Sequence, residues 1–141
     1  MNVRVLAALL VVAVAGCAAA PAAEDVSVGS GLISSLDVKV DGDSVLMTLH
    51  LTSALETPVV FEFPSAQRSD FAVRDTTGAV VWTWSMDKLF AQVTGTETLT
   101  PGATLEYSGA WAPAPVGRYQ AVGRLVSANR PLVIAVPFEV R

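Results

Sequence analysis

Apolar residues alternate with polar ones over most of this chain, and that period of two limits the possible folds more than any other feature. The clearest case is a pair of runs, 36–40 and 45–51, in which apolar residues alternate first with charged residues and then with threonine and histidine. Such alternation places the apolar side chains on one face of a β-strand. The intervening Asp41-Gly42-Asp43 is a turn sequence, so we predict an antiparallel hairpin here.

The same alternation recurs to the C-terminus between turn sequences and leaves room for only one helical turn, at 85–90. Pro137 lies inside the last alternating run and cannot donate a ladder hydrogen bond, which favours a sheet edge or a bulge there. Together these strands predict an all-β fold, an antiparallel immunoglobulin-like β-sandwich of about seven to eight strands. The further alternating segments are 59–63, 71–73, 80–84, a strand ending at Leu99, 105–111, 119–125 and 132–140.

Length and charge exclude several classes of function. The 141 residues fit one ordinary domain, and 9 Lys and Arg face 13 Asp and Glu, for a net charge of -4. Because the basic residues are scattered, the chain lacks the clustered positive charge that nucleic acid or an anionic membrane surface requires. Nor does any glycine-rich phosphate loop occur, so we predict neither a nucleic-acid partner nor a small-molecule cofactor.

The N-terminus has the pattern of an export signal. A weakly basic start leads into 11 consecutive apolar residues at 5–15, too few to span a bilayer. The following Val14-Ala15-Gly16-Cys17 resembles a bacterial lipobox, which implies that Cys17 is lipidated and that two acyl chains anchor the protein. The alternative is an unmodified thiol.

The chain is therefore divided into three parts. Residues 1–16 are predicted to be a lipoprotein signal peptide, 17–31 the lipidated cysteine with a flexible tether of small residues, and 32–141 the folded domain. This division implies a location in the bacterial cell envelope, with the domain anchored to a membrane and facing outside the cytoplasm.

Residues suited to catalysis or metal binding are few. The one histidine, His50, lies in the middle of a predicted strand, and a hydrolytic triad needs a base held against a nucleophile. A zinc site needs several ligands, and Asp41 with Asp43 falls short of the six to eight oxygens of a calcium site. We predict no metal site and no enzymatic activity; an enzyme would need His50 gathered with acids from distant strands.

Three motifs follow one another at a characteristic spacing: FEFPSAQ at 61–67, DFAVRD at 70–75 and VWTWS at 81–85. They resemble the BsuPI family, named after an intracellular proteinase inhibitor of bacilli, and the resemblance extends over roughly 36–140. It implies a protein inhibitor of subtilisin-type serine proteases. The chain departs from the family pattern at Ser69, where an aromatic residue is expected, and at Ala66, where glycine is common; both are expected in an exposed loop.

The aromatic residues of these motifs allow two interpretations, a binding platform or a core. Their alternating positions favour the core. For the loop between the first two motifs the alternatives are a partner-binding loop or a turn held by its own side chains. The candidate partner-binding residues are Pro64, Ser65, Ala66, Gln67, Arg68 and Ser69.

Two further loops, 85–92 and 112–117, are equally open to a partner on sequence grounds. The leading hypothesis is a non-enzymatic inhibitor of a serine protease, presented on a membrane-anchored lipoprotein. The alternative hypothesis is a cell-envelope protein-binding or assembly module of the same fold that does not inhibit, because one fold serves many functions.

Overall fold

The alternating segments of the sequence form strands in the computed structural model, which describes residues 23–29 and 31–141. Within these residues there are ten strands and one short 3-10 helix, Trp84–Asp87. The strands are β1 (Ala23–Gly29), β2 (Leu32–Asp41), β3 (Ser44–Ser53), β4 (Val59–Phe63), β5 (Ser69–Arg74), β6 (Val80–Thr83), β7 (Gly95–Leu99), β8 (Thr104–Trp111), β9 (Gly117–Leu125) and β10 (Leu132–Val140).

All strand pairs are antiparallel, and they make two four-stranded sheets and one two-stranded sheet. The strand orders are β1-β2-β3-β8, β10-β9-β5-β6 and β4-β7. The two larger sheets pack face to face, with β2 against β10, β3 against β9 and β5 against β8. This confirms the predicted all-β, antiparallel sandwich of immunoglobulin-like type, although the strands number ten rather than seven to eight.

The core lies between the sheets and is built from the apolar positions of the alternating runs. Leu36, Met47 and Leu49 on one sheet are fully buried, as are Phe71 and Val73 on the other. Burying the apolar side chains of both inner faces supplies the main stabilisation of such a sandwich, at roughly 25 cal/mol per Å² of apolar surface.

Two local predictions are confirmed, one for a turn and one for an edge strand. The β2–β3 hairpin closes where Asp41 faces Ser44, and Gly42 adopts a φ of 60°, the left-handed backbone that tight hairpin turns require at this position. At the other end of the chain β10 lies at a sheet edge, which agrees with the prediction from Pro137.

Strand β1 departs from the predicted division of the chain. It lies inside the segment 17–31 that was expected to be a flexible tether, and it pairs with β2 from Ala23 opposite Val38 to Gly29 opposite Leu32. The open backbone edge of β2 offers these residues hydrogen-bond partners. Only Val26 and Val28 alternate here, which is too short a pattern to indicate a strand from sequence.

The predicted signal peptide 1–16 and the predicted lipidation site Cys17 lie outside the described residues, as do 18–22 and residue 30. Among residues 23–29 and 31–141, no helix has the length and apolar character needed to cross a bilayer.

Candidate partner-binding surface

The connection between β6 and β7, residues 84–94, carries the most exposed large apolar side chains in the described part of the molecule. It begins with the 3-10 helix and continues to Gly95 without helix or strand. The two most exposed are Leu89, at 102% relative exposure, and Met86, at 83%; Val93 of the same connection is exposed at 66%. Three exposed apolar side chains in one connection make it a candidate interaction site. We call this segment the 84–94 loop.

Aromatic packing anchors the 84–94 loop to the sandwich. The Trp84 ring meets the buried Phe71 ring edge to face, at 6.2 Å between centroids, and the Phe90 ring packs on Trp84 at 5.9 Å. The Lys88 ammonium lies 4.6 Å from the centre of the Trp84 ring, in cation–π geometry. Trp84 is thus the platform on which both neighbours of Leu89 rest.

Gly109 of β8 makes room for this anchor. A Cβ atom at Gly109 would lie 2.7 Å from Phe71 Cδ2 and 3.0 Å from Trp84 Cδ1, both closer than normal contacts. Because Gly109 has no side chain, the Phe71 and Trp84 rings can pack against β8.

A carboxylate fixes the start of the 84–94 loop. Asp70 of β5 accepts hydrogen bonds from the Ser85 hydroxyl at 2.6 Å and from the Ser85 backbone N–H at 3.1 Å. Asp70 also accepts from the N–H of Phe71 at 2.9 Å. Hydrogen bonds to a charged acceptor are about twice as strong as neutral ones, so these bonds hold Ser85, near the start of the loop, in place.

The predicted partner-binding residues 64–69 differ in their exposure to solvent. Pro64 and Ala66 are exposed, whereas Ser65, Gln67 and Arg68 are half-buried. Ser69 is buried, with 5% relative exposure, because it is the first residue of β5 and faces inward. The expectation that Ser69 lies in an exposed loop is therefore wrong.

The polar side chains of 64–69 bond mainly within the fold. The Gln67 side-chain amide donates to the Ser69 carbonyl at 3.1 Å, and the Ser65 hydroxyl accepts from the Gln67 N–H at 3.2 Å. A single backbone bond joins this segment to the 84–94 loop: the Ala66 N–H donates to the Ala91 carbonyl at 2.9 Å. The structure thus brings together two of the three candidate loops.

Arg68 connects this segment to the sheets. Its Nε donates to Glu97 Oε1 at 2.9 Å and its Nη1 donates to the Ser65 carbonyl at 2.8 Å, while the guanidinium lies 4.5 Å from the centre of the Phe63 ring. A Cβ on Gly95 would stand 2.7 Å from Arg68 Nη2, so a larger residue there would displace the guanidinium. Arg68 therefore stabilises the fold, and its role as a partner contact stays a prediction.

The third candidate loop, 112–117, belongs to a different part of the surface. Its buried Ala114 donates a backbone bond of 2.8 Å to the Asp43 carbonyl in the β2–β3 turn. The Pro115 carbonyl accepts from the Tyr119 hydroxyl at 2.9 Å. One large apolar side chain, Val116, is exposed, at 76%.

Most of the chain matches the model of one protein family. Residues 32–130 match the family model of BsuPI, described as intracellular proteinase inhibitor. The chain belongs to the BsuPI family. The match ends just before β10, and no protein of curated function shows significant sequence similarity to the chain.

Solved structures similar to this BsuPI domain include β-glucosidase 3B from Thermotoga neapolitana, determined with glucose and with glycerol. The sequence identity is 15% in both cases, with TM-scores of 0.38 and 0.39. The matches cover 84% and 85% of this chain and 16% of each glucosidase chain.

The sequence motifs of the BsuPI family meet in the structure. Phe61 and Phe63 of the first motif are core residues, while Asp70-Phe71 of the second motif binds and packs against Trp84-Ser85 of the third. The prediction that the aromatic residues form a core is confirmed for Phe61, Phe63, Phe71 and Trp111. It is only partly correct for Trp82, Trp84 and Phe90, which are half-buried.

His50 lies on β3 opposite Ser35 and Glu106, with its Nδ1 3.6 Å from Glu106 Oε2. This contact is an ion pair only when the imidazole is protonated. Within residues 23–29 and 31–141, no three histidine, cysteine or acidic residues are grouped so that they could hold a metal ion.

Sequence analysis of the BsuPI domain missed the network centred on Glu97. Besides Arg68, this carboxylate accepts a hydrogen bond from the Tyr107 hydroxyl of β8. Burial and the Glu97 carboxylate together raise the pKa of Tyr107 above the ordinary value of 10.0. The network braces β7, where the 84–94 loop ends.

The raised pKa predicts a loss of stability in alkali. As the pH rises above 10.0, the unfolded chain releases the Tyr107 proton while the folded chain retains it, so the free energy of unfolding falls. We expect wild type to lose more stability than Tyr107→Phe between about pH 8 and about pH 11, measured by urea unfolding. Equal losses in the two proteins would contradict the assignment.

Proposed function

We propose that this chain inhibits subtilisin-type serine proteases and that the 84–94 loop enters the substrate cleft. Membership of a proteinase-inhibitor family supports the class of function. The observation that carries the choice of loop is the fully exposed Leu89, whose two neighbours both rest on Trp84. Of the other two candidate loops, 64–69 exposes no large apolar side chain, and 112–117 exposes Val116, which is less exposed than Leu89.

The physical basis of the inhibition is preorganisation. A protein that binds a cleft with a mobile loop loses about 0.5–1.5 kcal/mol for each side chain that it must immobilise. Here the aromatic platform and the Asp70–Ser85 hydrogen bonds hold the loop before the protease arrives. Little further conformational entropy is then lost when the loop binds the protease.

We also propose that the domain acts outside the cytoplasm, held at a membrane by lipid on Cys17. The apolar run at 5–15 and the lipobox-like residues that precede Cys17 support this location. Expression in a bacterial host with a radiolabelled fatty acid tests it. We expect label on the wild-type chain and none on Cys17→Ser; label on neither chain would contradict the lipid anchor.

The inhibitory function is tested by titrating a subtilisin-type protease with the full chain, purified in mild detergent. Residual activity on a small chromogenic substrate is expected to fall linearly to near zero at a stoichiometric end point. A metalloprotease serves as the control and keeps its activity. Full subtilisin activity at large excess of intact chain would contradict the proposal and favour the non-inhibitory envelope module.

A further inference from the structure

We propose that Leu89 is the side chain that fills the S1 pocket of the protease, the pocket that receives the residue before the cleaved bond. This inference rests on the proposed inhibitory function. It also defines the partner more closely: the target has a large apolar S1 pocket, and the peptide bond presented to its catalytic serine is Leu89–Phe90.

The orientation of the neighbouring side chains supports Leu89. Lys88 has extended backbone angles, φ -115° and ψ 147°, the conformation in which successive side chains point to opposite sides. The Lys88 ammonium and the Phe90 ring both lie on Trp84, on the domain side of the loop. Leu89, between them, is turned away from the domain into solvent.

This arrangement matches the needs of a protease cleft. Extended peptides bind such clefts by adding a strand, with one side chain buried in a pocket and its neighbours facing away. A leucine that is fully exposed in the free inhibitor buries its whole side chain on docking, and this burial of apolar surface favours binding. A side chain that fills a desolvated pocket at the centre of an interface contributes much of the binding energy.

The two other exposed apolar residues of the loop are less suited to the pocket. Met86 lies in the 3-10 helix Trp84–Asp87, whose coiled backbone cannot extend along a cleft without unwinding. Val93 is less exposed than Leu89 and lies two residues before β7, where the chain re-enters the sheet.

The charges near Leu89 also favour a protease with an apolar S1 pocket. Asp87 and Lys88, the two residues before Leu89, form an ion pair with 3.1 Å between Lys88 Nζ and Asp87 Oδ1. The protruding side chain itself is neutral. A protease that requires a basic residue in S1 is therefore excluded as the target, because its buried carboxylate would be left unpaired.

The test compares inhibition constants of three variants against a subtilisin-type protease and against trypsin. Leu89→Glu is expected to weaken inhibition of the first by about 30-fold or more, as for a central anchor residue. Val133→Glu adds the same charge at an exposed apolar position of β10, outside the 84–94 loop, and is expected to change inhibition by less than about 3-fold. Leu89→Arg is expected to weaken inhibition of the subtilisin-type protease and to create inhibition of trypsin.

The outcomes separate this inference from the function on which it rests. If wild type inhibits and Leu89→Glu inhibits as well as Val133→Glu, the assignment of Leu89 fails while the inhibitory function stands. If wild type does not inhibit, the inhibitory function fails, and mass spectrometry of the first bond hydrolysed by the protease decides the inference. A first cut at Leu89–Phe90 supports it; a first cut elsewhere, or no cut, overturns it.

Discussion

Replacing Phe71 by alanine is expected to destabilise the domain by about 3–5 kcal/mol, the usual cost of removing a fully buried aromatic ring from a core. Phe71 is completely buried in β5, which lies between β9 and β6, and its ring also supports Trp84. Because domains of this size are stable by only about 5–15 kcal/mol, the loss is a large share of the total. Urea unfolding followed by tryptophan fluorescence measures it.

A matched pair of variants controls this prediction. Phe71→Leu keeps most of the buried volume and is expected to cost less than half as much. Val133→Ala, at an exposed position of β10, is expected to change stability by less than about 0.5 kcal/mol. A cost below about 1 kcal/mol for Phe71→Ala would show that the ring does not lie in a packed core.

Replacing Trp84 by alanine is expected to weaken protease inhibition by about 10- to 100-fold. The change removes the platform for Lys88 and Phe90, so the protease must order both flanks of Leu89 on binding. Stability also falls, by about 2–3 kcal/mol, which is less than for a fully buried ring. Inhibition constants and unfolding free energies are measured on the same preparations.

Trp82→Ala is the control that separates loop order from general stability. Trp82 is also half-buried, but it stacks on Trp111 with 6.2 Å between ring centroids and makes no ring contact with the 84–94 loop. We expect a similar loss of stability and an unchanged inhibition constant. Equal weakening of inhibition by the two variants would contradict a specific role for the Trp84 platform.

The fold was predictable where residues of one strand alternate strictly. Leu105, Tyr107, Gly109 and Trp111 were predicted on one face of a strand, and β8 does turn these residues inward. Such a pattern can be recognised from the local sequence, because the polarity of each side chain indicates the face of the strand on which it lies. β1 escaped prediction because its pairing depends on the free edge of β2, which is not visible in its own sequence.

The candidate surface was less predictable, because it depends on contacts between distant residues. Asp70 and Ser85 are 15 positions apart, and Arg68 and Glu97 are 29 apart. The hydropathy pattern indicated neither of these two contacts. It also did not indicate the burial of Ser69, because a polar residue at an inward-facing strand position has the same polarity as a loop residue. The motifs were the available signal: the Asp-Phe and Trp-Ser pairs were conspicuous in the sequence, but their mutual contact was not.

In the proposed inhibitor, the exposed apolar side chains of the 84–94 loop enter the protease cleft. The most direct measurement compares the titration of a subtilisin-type protease by wild type with that by Met86→Ser/Leu89→Ser/Val93→Ser. Because all three side chains are exposed, the triple variant should fold with nearly unchanged stability. We expect stoichiometric inhibition by wild type and its loss in the folded variant; the same stoichiometric end point for both proteins would show that these side chains do not carry the inhibition.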